Sequence, residues 1–322
     1  MQATAQDTSP WNSPLWLAAI LALFAVVLWR FHFGYLALID QDLAIRGAIG
    51  WQQHFPFLGT THWELRHPFV WALSAGLALF GRSEWSLLAP VMAAGFATAS
   101  LFYFVLRRLS SPRVALLASL ILVTVPQYVY SSSTLMPGIF EALFWAAGLY
   151  FYAGYLQGRH VTRNLILTGL SFGFVFLVRE TAAQVVLALA IFYFIAVRRD
   201  FGRHWLLVGG FVLIALFDLS FGYVRHGDPF YRYVIDVQQY HPREHWKATP
   251  IFEPTFANAE AEVQAAYNPD KQRKWVAGTE KQSVGPMSVN KSFDLYLLFF
   301  LNHEYGGLFF GLVAAAVAAA AS

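Results

Sequence analysis

The stretch that decides the fold is NLILTGLSFGFVFLVRETAAQVVLALAIFYFIAV, residues 164–197. Its only charged residues are Arg179 and Glu180, which lie near the middle. A helix needs about 20 apolar residues to cross the hydrocarbon core of a membrane, so the tract has room for two short spans. The sequence therefore predicts two membrane-spanning helices, 164–178 and 181–197, that meet at a charged corner.

The composition of the whole chain extends this prediction. Hydrophobic residues make up 57% of it and charged residues 13%, whereas ordinary soluble domains have about 25% charged residues. The net charge of +3 is dispersed among several apolar runs, so we expect no nucleic-acid partner. Cysteine is absent, which excludes disulfides, thiolate zinc sites and cysteine nucleophiles. The chain is therefore interpreted as an integral membrane protein.

Further apolar runs complete an all-α, multi-pass helical bundle with about eight spanning helices. The additional spans are predicted at 14–37, 85–106, 114–131, 135–156 and 205–224, and one more begins near Phe293. The run 68–81 has only 14 residues, so we expect a juxtamembrane helix in the first outer loop.

Three regions follow from this pattern. Residues 1–224 are expected to form a transmembrane domain with an outer loop at 38–84, and residues 225–292 a hydrophilic extracytoplasmic insertion. Residues 293–322 are expected to begin a further spanning helix, and since the apolar run continues to Ser322, we expect the chain to be truncated there.

The short loops predict the orientation of the bundle. The connections 107–113, 157–163 and 198–204 contain eight arginines, and basic loops stay on the cytoplasmic side. The opposite face then receives 38–84, 131–137, the Arg179 corner and the insertion. We expect a cell-membrane protein, in a bacterial inner membrane, with its site on the extracytoplasmic face.

Acidic residues converge on this predicted outer face, where Asp40 and Asp42 follow the first helix and Asp218 lies within two turns of the insertion. Two carboxylates one residue apart could share a divalent cation such as Mg²⁺ or Mn²⁺, or one could act as a general base. Alternatively, Asp40 and Asp42 are loop acids that begin a helix and stabilise its amino end.

Glu64, Arg66 and His67 come just before the juxtamembrane run. Arg66 and His67 could bind an anionic group together. The alternative is that they anchor the membrane interface beside a proline that starts a helix.

Glu141, Arg179 and Glu180 are further candidates. Arg179 and Glu180 could hold a phosphate and an acceptor hydroxyl, or they could form a paired turn between two helices. Glu141 could contact a substrate, or its carboxyl could be satisfied by the hydroxyls of residues 131–134. The chain has no P-loop and no strand followed by GxGxxG, so we expect the activated substrate of any enzymatic reaction to arrive by the membrane.

The order of these features resembles a known class of membrane proteins. The acids of the first loop are followed by ELRHPFVWALSAGLALFGRSEW at 64–85, RRLSSPR at 107–113, LMPGIFEALF at 135–144, FLVRET at 176–181 and GDPFY at 227–231. Over roughly residues 30–240 the chain resembles the GT-C polyprenyl-phosphate-dependent glycosyltransferases, the superfamily of protein mannosyltransferases and aminoarabinose transferases.

The resemblance implies a sugar transferase with its active site on the outer face. Its donor would be a sugar linked to polyprenyl phosphate, its acceptor a lipid, glycan or protein, and a single displacement would invert the anomeric centre. Asp40 or Asp42 would act on the acceptor hydroxyl. The implied donor-phosphate ligands are Arg66, His67 and Arg179, and the implied substrate contacts are Glu64, Glu141 and Glu180.

Two other functions fit a multi-pass chain of this kind. One is a transporter or flippase subunit for envelope lipids or glycans. The other is an assembly protein whose working part is the insertion 225–292.

Overall fold

The computed structural model describes residues 11, 13–34, 39–57, 59–179, 201–232 and 235. Apart from one isolated bridge between Gly34 and Thr134, the regular structure of these residues is helical, as predicted. The helices are α1 (Leu15–Phe31), α2 (Ile39–Gln53), α3 (His67–Phe80), α4 (Glu84–Leu109), α5 (Pro112–Thr124), α6 (Pro126–Ser131), α7 (Gly138–Leu156), α8 (Val161–Val178) and α9 (Phe201–His226).

Four of the described helices, α4, α7, α8 and α9, are long and apolar enough to cross a membrane. They correspond to the predicted spans 85–106, 135–156, 164–178 and 205–224. Helix α1 is apolar but shorter. The predicted span 181–197, most of the insertion and the apolar run from Phe293 lie outside the described residues, so the total of eight spans stays a prediction.

The predicted span 114–131 is divided into two helices. Helix α5 ends at Thr124 and α6 begins at Pro126, and Val125 between them is extended, with φ −67° and ψ 125°. Pro126 cannot donate a backbone hydrogen bond, and its ring disfavours helical geometry at the preceding residue. The two effects together divide the apolar run into two helices.

Glycines bring α8 and α9 into close contact. A Cβ on Gly169 would clash with the carbonyl oxygen of Leu207, and one on Gly173 would lie 2.6 Å from Cβ of Ile214. Small residues allow helix backbones to approach closely within a membrane. This packing places the second half of α9 beside the end of α8, where the candidate site lies.

The loops predicted for opposite faces lie at opposite ends of the bundle. At one end, the backbone N–H of Gly34 donates to the carbonyl oxygen of Ser133 over 2.9 Å. At the other end, the side chain of Gln157 donates to the carbonyl oxygen of Arg108 over 3.0 Å. We call the first the outer end and the second the arginine end, after the predicted loop 107–113 that lies there.

Helix α3 has both of its ends at the outer end, as the juxtamembrane prediction requires. Its first residue, His67, lies 3.8 Å from Asp218 in the last third of α9. Immediately beyond its other end, Glu84 approaches Gly34, because a Cβ on that glycine would lie 2.8 Å from Oε1 of Glu84. The chain therefore enters and leaves α3 on the same side of the bundle.

Candidate functional site

Asp40 and Asp42 lie in the first turn of α2, where the helix dipole stabilises negative charge. Asp40 is half-buried, and burial raises the pKa of its carboxyl, while the positive charge of Arg66 acts in the opposite direction with a smaller effect. The structure therefore brings two of the predicted site residues, the carboxylate of Asp40 and the guanidinium of Arg66, close enough for their charges to interact.

The residues of the first turn do not fit a divalent-cation site shared by Asp40 and Asp42. Residues two positions apart on a helix face different directions, and both lie in α2. Among the residues that the structure describes, no group of three His, Asp or Glu side chains could hold a metal ion. We therefore derive no step of a reaction through a metal.

Glu64 organises the loop that leads to α3. Its Oε1 accepts from the Nε of Arg46, and its Oε2 accepts from the backbone N–H groups of Thr60 and Thr61, over 2.6 Å and 2.9 Å. The residue is 1% exposed. Both carboxylate oxygens are thus engaged within the protein, and they tie the loop to α2.

Arg66 is the last residue before α3, and it is nearly buried. Its guanidinium carbon lies 4.1 Å from the centroid of the Trp63 ring. A guanidinium over an indole is attracted to the ring face, and more strongly where water is excluded. The stacking fixes the plane of the charged group at the outer end of the bundle.

His67 is packed in an aromatic cluster formed by Trp51, Trp71 and Phe221. Its ring is parallel to that of Trp71, with centroids 5.4 Å apart, and perpendicular to those of Trp51 and Phe221. Burial, together with the positive charge of Arg232, lowers the pKa of His67 to about 3. The imidazole is therefore neutral near pH 7 and contributes no positive charge to a phosphate site.

Asp218 and Arg232 form a buried ion pair, with 3.5 Å between the guanidinium and the carboxylate and each side chain 4% exposed. The sequence predicts that Asp218 lies at this face but indicates no role for it. The sequence did not single out Arg232 at all. An aspartate inside a spanning helix is itself a signal of function. Arg232 had no comparable signal, because it lies among the many charged residues of the hydrophilic stretch.

Glu141 and Arg179 form a second, more exposed ion pair over 3.5 Å. Arg179 directly follows the last residue of α8, as the predicted break at the charged corner requires. The partner of Glu141 is therefore Arg179, and not the hydroxyls of residues 131–134 that the sequence offered as an alternative. Glu180 lies outside the described residues.

Comparisons with known proteins agree with this architecture. Residues 67–221 match the sequence model of the family described as dolichyl-phosphate-mannose-protein mannosyltransferase. No curated protein matches the chain significantly.

A solved structure has a similar fold. The chain is similar to the oligosaccharyltransferase of Archaeoglobus fulgidus, crystallised with a tethered acceptor peptide that contains the NVT sequon, with a TM-score of 0.55 and 16% sequence identity. The similarity covers 96% of this chain and 44% of that chain, so this chain spans less than half the length of the archaeal protein. The sequence match over residues 67–221 and the similar fold agree with the resemblance to the GT-C glycosyltransferases found in the sequence.

Proposed function

We propose that this chain transfers a sugar from a polyprenyl-phosphate-linked donor to an acceptor hydroxyl on the extracytoplasmic face of the membrane. The observation that carries the proposal is the half-buried carboxylate of Asp40 in the electrostatic field of Arg66. A base for the acceptor and a cation for the departing phosphate are the two groups that this reaction needs.

Asp40 is the proposed general base. The acceptor oxygen attacks the anomeric carbon while its proton passes to the carboxylate of Asp40. The bond from the anomeric carbon to the phosphate oxygen breaks, and its electron pair leaves with the phosphate. Burial raises the pKa of Asp40, which makes its ionised form a stronger base. A single displacement of this kind inverts the anomeric centre.

Arg66 and Arg179 are the proposed ligands of the donor phosphate. Arg66 is desolvated and held over Trp63, so a charge-assisted hydrogen bond to phosphate is strengthened by the low local dielectric. Arg179 is more exposed and already paired with Glu141. Glu141 and Glu180 stay proposed substrate contacts, and Asp42 stays a candidate for a secondary role at the acceptor.

His67 and Glu64 have a different part in this scheme from the one first predicted. In this scheme neutral His67 packs in the aromatic cluster next to Arg66. Glu64 holds the loop that contains Arg66 against α2. Both residues act on the phosphate site through Arg66, which His67 directly follows and which lies two residues after Glu64.

The test is a transfer assay with the purified full chain in lipid nanodiscs. Polyprenyl phosphates carrying radiolabelled mannose, glucose, galactose or aminoarabinose are offered together with a membrane extract as the source of acceptor. We expect one of them to release polyprenyl phosphate and to label the extract.

A flippase subunit gives a different result. In proteoliposomes the labelled sugar would cross the bilayer while it stayed attached to its polyprenyl phosphate. That outcome, without release of polyprenyl phosphate from any donor, contradicts the proposed function.

A further inference from the structure

The chain turns back on itself directly after α9. Gly227 has φ +71°, a left-handed conformation that ends helices and that glycine adopts without strain. The backbone N–H of Phe230 donates to the side chain of Asp228 over 2.8 Å, which stabilises the turn. Arg232 thereby returns to the level of Asp218, and the two charges meet inside the protein.

Arg232 also binds the end of α8. Its Nη2 donates to the carbonyl oxygen of Leu177 over 2.6 Å and to that of Phe176 over 3.4 Å. The last carbonyl groups of a helix have no partner within the helix and carry partial negative charge, which a guanidinium neutralises. Arg179 lies only two residues after Leu177. By binding the end of α8, Arg232 therefore fixes the position of the Arg179 backbone.

Asp218 contacts the start of α3. Its carboxylate lies 3.8 Å from Nδ1 of His67, and His67 directly follows Arg66. The hydroxyl of Tyr231 donates to the carbonyl oxygen of Gly59 over 3.0 Å, at the beginning of the loop that ends at Arg66. Tyr231, in the segment after α9, therefore holds the beginning of this loop, and Asp218 in α9 contacts the residue that directly follows its end.

We propose that Asp218 and Arg232 are a positioning pair that sets the places of Arg66 and Arg179 for binding the phosphate of a lipid-linked donor. This inference rests on the proposed function. Both side chains are buried, so neither touches the substrate. The pair connects α9, the end of α8 and the start of α3, the three elements whose relative positions decide the separation of the two arginines.

The test measures the affinity of the full chain for undecaprenyl phosphate in lipid nanodiscs. Arg232→Lys keeps the positive charge but loses the planar fork that reaches Asp218 and two carbonyl groups. Misplacement of a binding group by about 1 Å weakens its function substantially, and we expect the dissociation constant to rise about tenfold. Binding is measured on the monodisperse fraction from size-exclusion chromatography, since loss of fold lowers the number of sites and leaves their affinity unchanged.

Arg108→Lys is the matched control. Arg108 also donates to a backbone carbonyl, that of Tyr150 over 2.6 Å, and stacks on the same tyrosine, but at the arginine end. We expect this variant to bind undecaprenyl phosphate as the wild type does. The double variant Asp218→Asn with Arg232→Gln removes both buried charges together, and we expect it to bind as weakly as Arg232→Lys.

The outcomes separate the inference from the proposed function. Wild-type affinity in folded Arg232→Lys or in the folded double variant overturns the positioning role. The same holds if neither variant yields a folded fraction, because the pair would then serve the stability of the fold. Failure of the wild type to bind undecaprenyl phosphate instead contradicts the proposed function.

Discussion

The guanidinium of Arg66 lowers the pKa of Asp40 against the larger, upward effect of burial. If Asp40 is the base, transfer is lost as the pH falls through its pKa, because the protonated carboxyl cannot accept a proton. Removal of the nearby positive charge raises this pKa further. In Arg66→Gln we therefore expect the acidic limb of kcat/KM against pH to move to higher pH.

The pH profile of Arg82→Gln is the control for this shift. Arg82 lies just beyond the other end of α3 and is exposed, so we expect its acidic limb to coincide with that of the wild type. An acidic limb that stays in place in Arg66→Gln would show that the group titrating in that limb is not near Arg66.

Arg66 is also expected to bind the donor directly. Hydrogen bonds to charged groups contribute about 1.5–3 kcal/mol, so Arg66→Ala should weaken binding of polyprenyl phosphate by roughly tenfold to a hundredfold. Equilibrium binding in nanodiscs measures the change. Equal affinity of Arg66→Ala and the wild type would reassign Arg66 to anchoring at the membrane interface.

The two glutamates of the described site should differ in their effect on stability. Glu64 is buried and holds Arg46 and two backbone N–H groups, whereas the pair of Glu141 and Arg179 is exposed to solvent. Loss of one partner of a buried ion pair costs about 3–5 kcal/mol. Arg46 is 15% exposed, so for Glu64→Gln we expect a smaller loss, of about 2–3 kcal/mol.

Glu141→Gln is the comparison for that measurement. Exposed ion pairs contribute about 0.2–1 kcal/mol, so this variant should unfold within a few degrees of the wild type. Thermal unfolding followed by tryptophan fluorescence compares the two variants. If Glu64→Gln is as stable as Glu141→Gln, then Glu64 is available to a substrate and does not organise the loop.

The orientation of α3 can be tested without background, because the chain contains no cysteine. Single cysteines at Gln53, Arg82 and Arg159, all exposed, are labelled with a membrane-impermeant maleimide in intact cells. We expect labelling at positions 53 and 82 and protection at position 159. Labelling of 53 and 159 without 82 would mean that α3 crosses the membrane.

Much of the fold could be predicted from the sequence, because spanning helices depend on local apolar length. The carboxyl end of α8 and the short α3 are both visible in this way, from the charged corner at Arg179 and from the 14-residue run at 68–81. The division between α5 and α6 falls at Pro126, a helix break that is visible in the sequence although the apolar run 114–131 passes through it. Apolar length alone does not register the hydrogen bond that a proline removes.

The site was only partly predictable, because its partners are distant in sequence. Asp40 and Arg66 could be chosen as charged residues at one face, but the burial that raises the pKa of Asp40 depends on the folded structure. His67 could be selected in sequence as a basic residue, and only the surrounding aromatic rings make it neutral. The pairing of Asp218 with Arg232 depends on a chain reversal that no short motif specified.

The central claim, that Asp40 is the base, is tested most directly by sugar transfer in Asp40→Asn. The raised pKa means that ionised Asp40 destabilises the folded state at any pH above that value, so the neutral amide should leave the melting temperature at pH 7 unchanged or higher. Asp42→Asn, on another face of α2, is the matched control. We predict that Asp40→Asn keeps wild-type affinity for polyprenyl phosphate and loses transfer by a factor of about 10²–10⁴, and that Asp42→Asn loses far less. Transfer at the wild-type rate by folded Asp40→Asn would contradict the account.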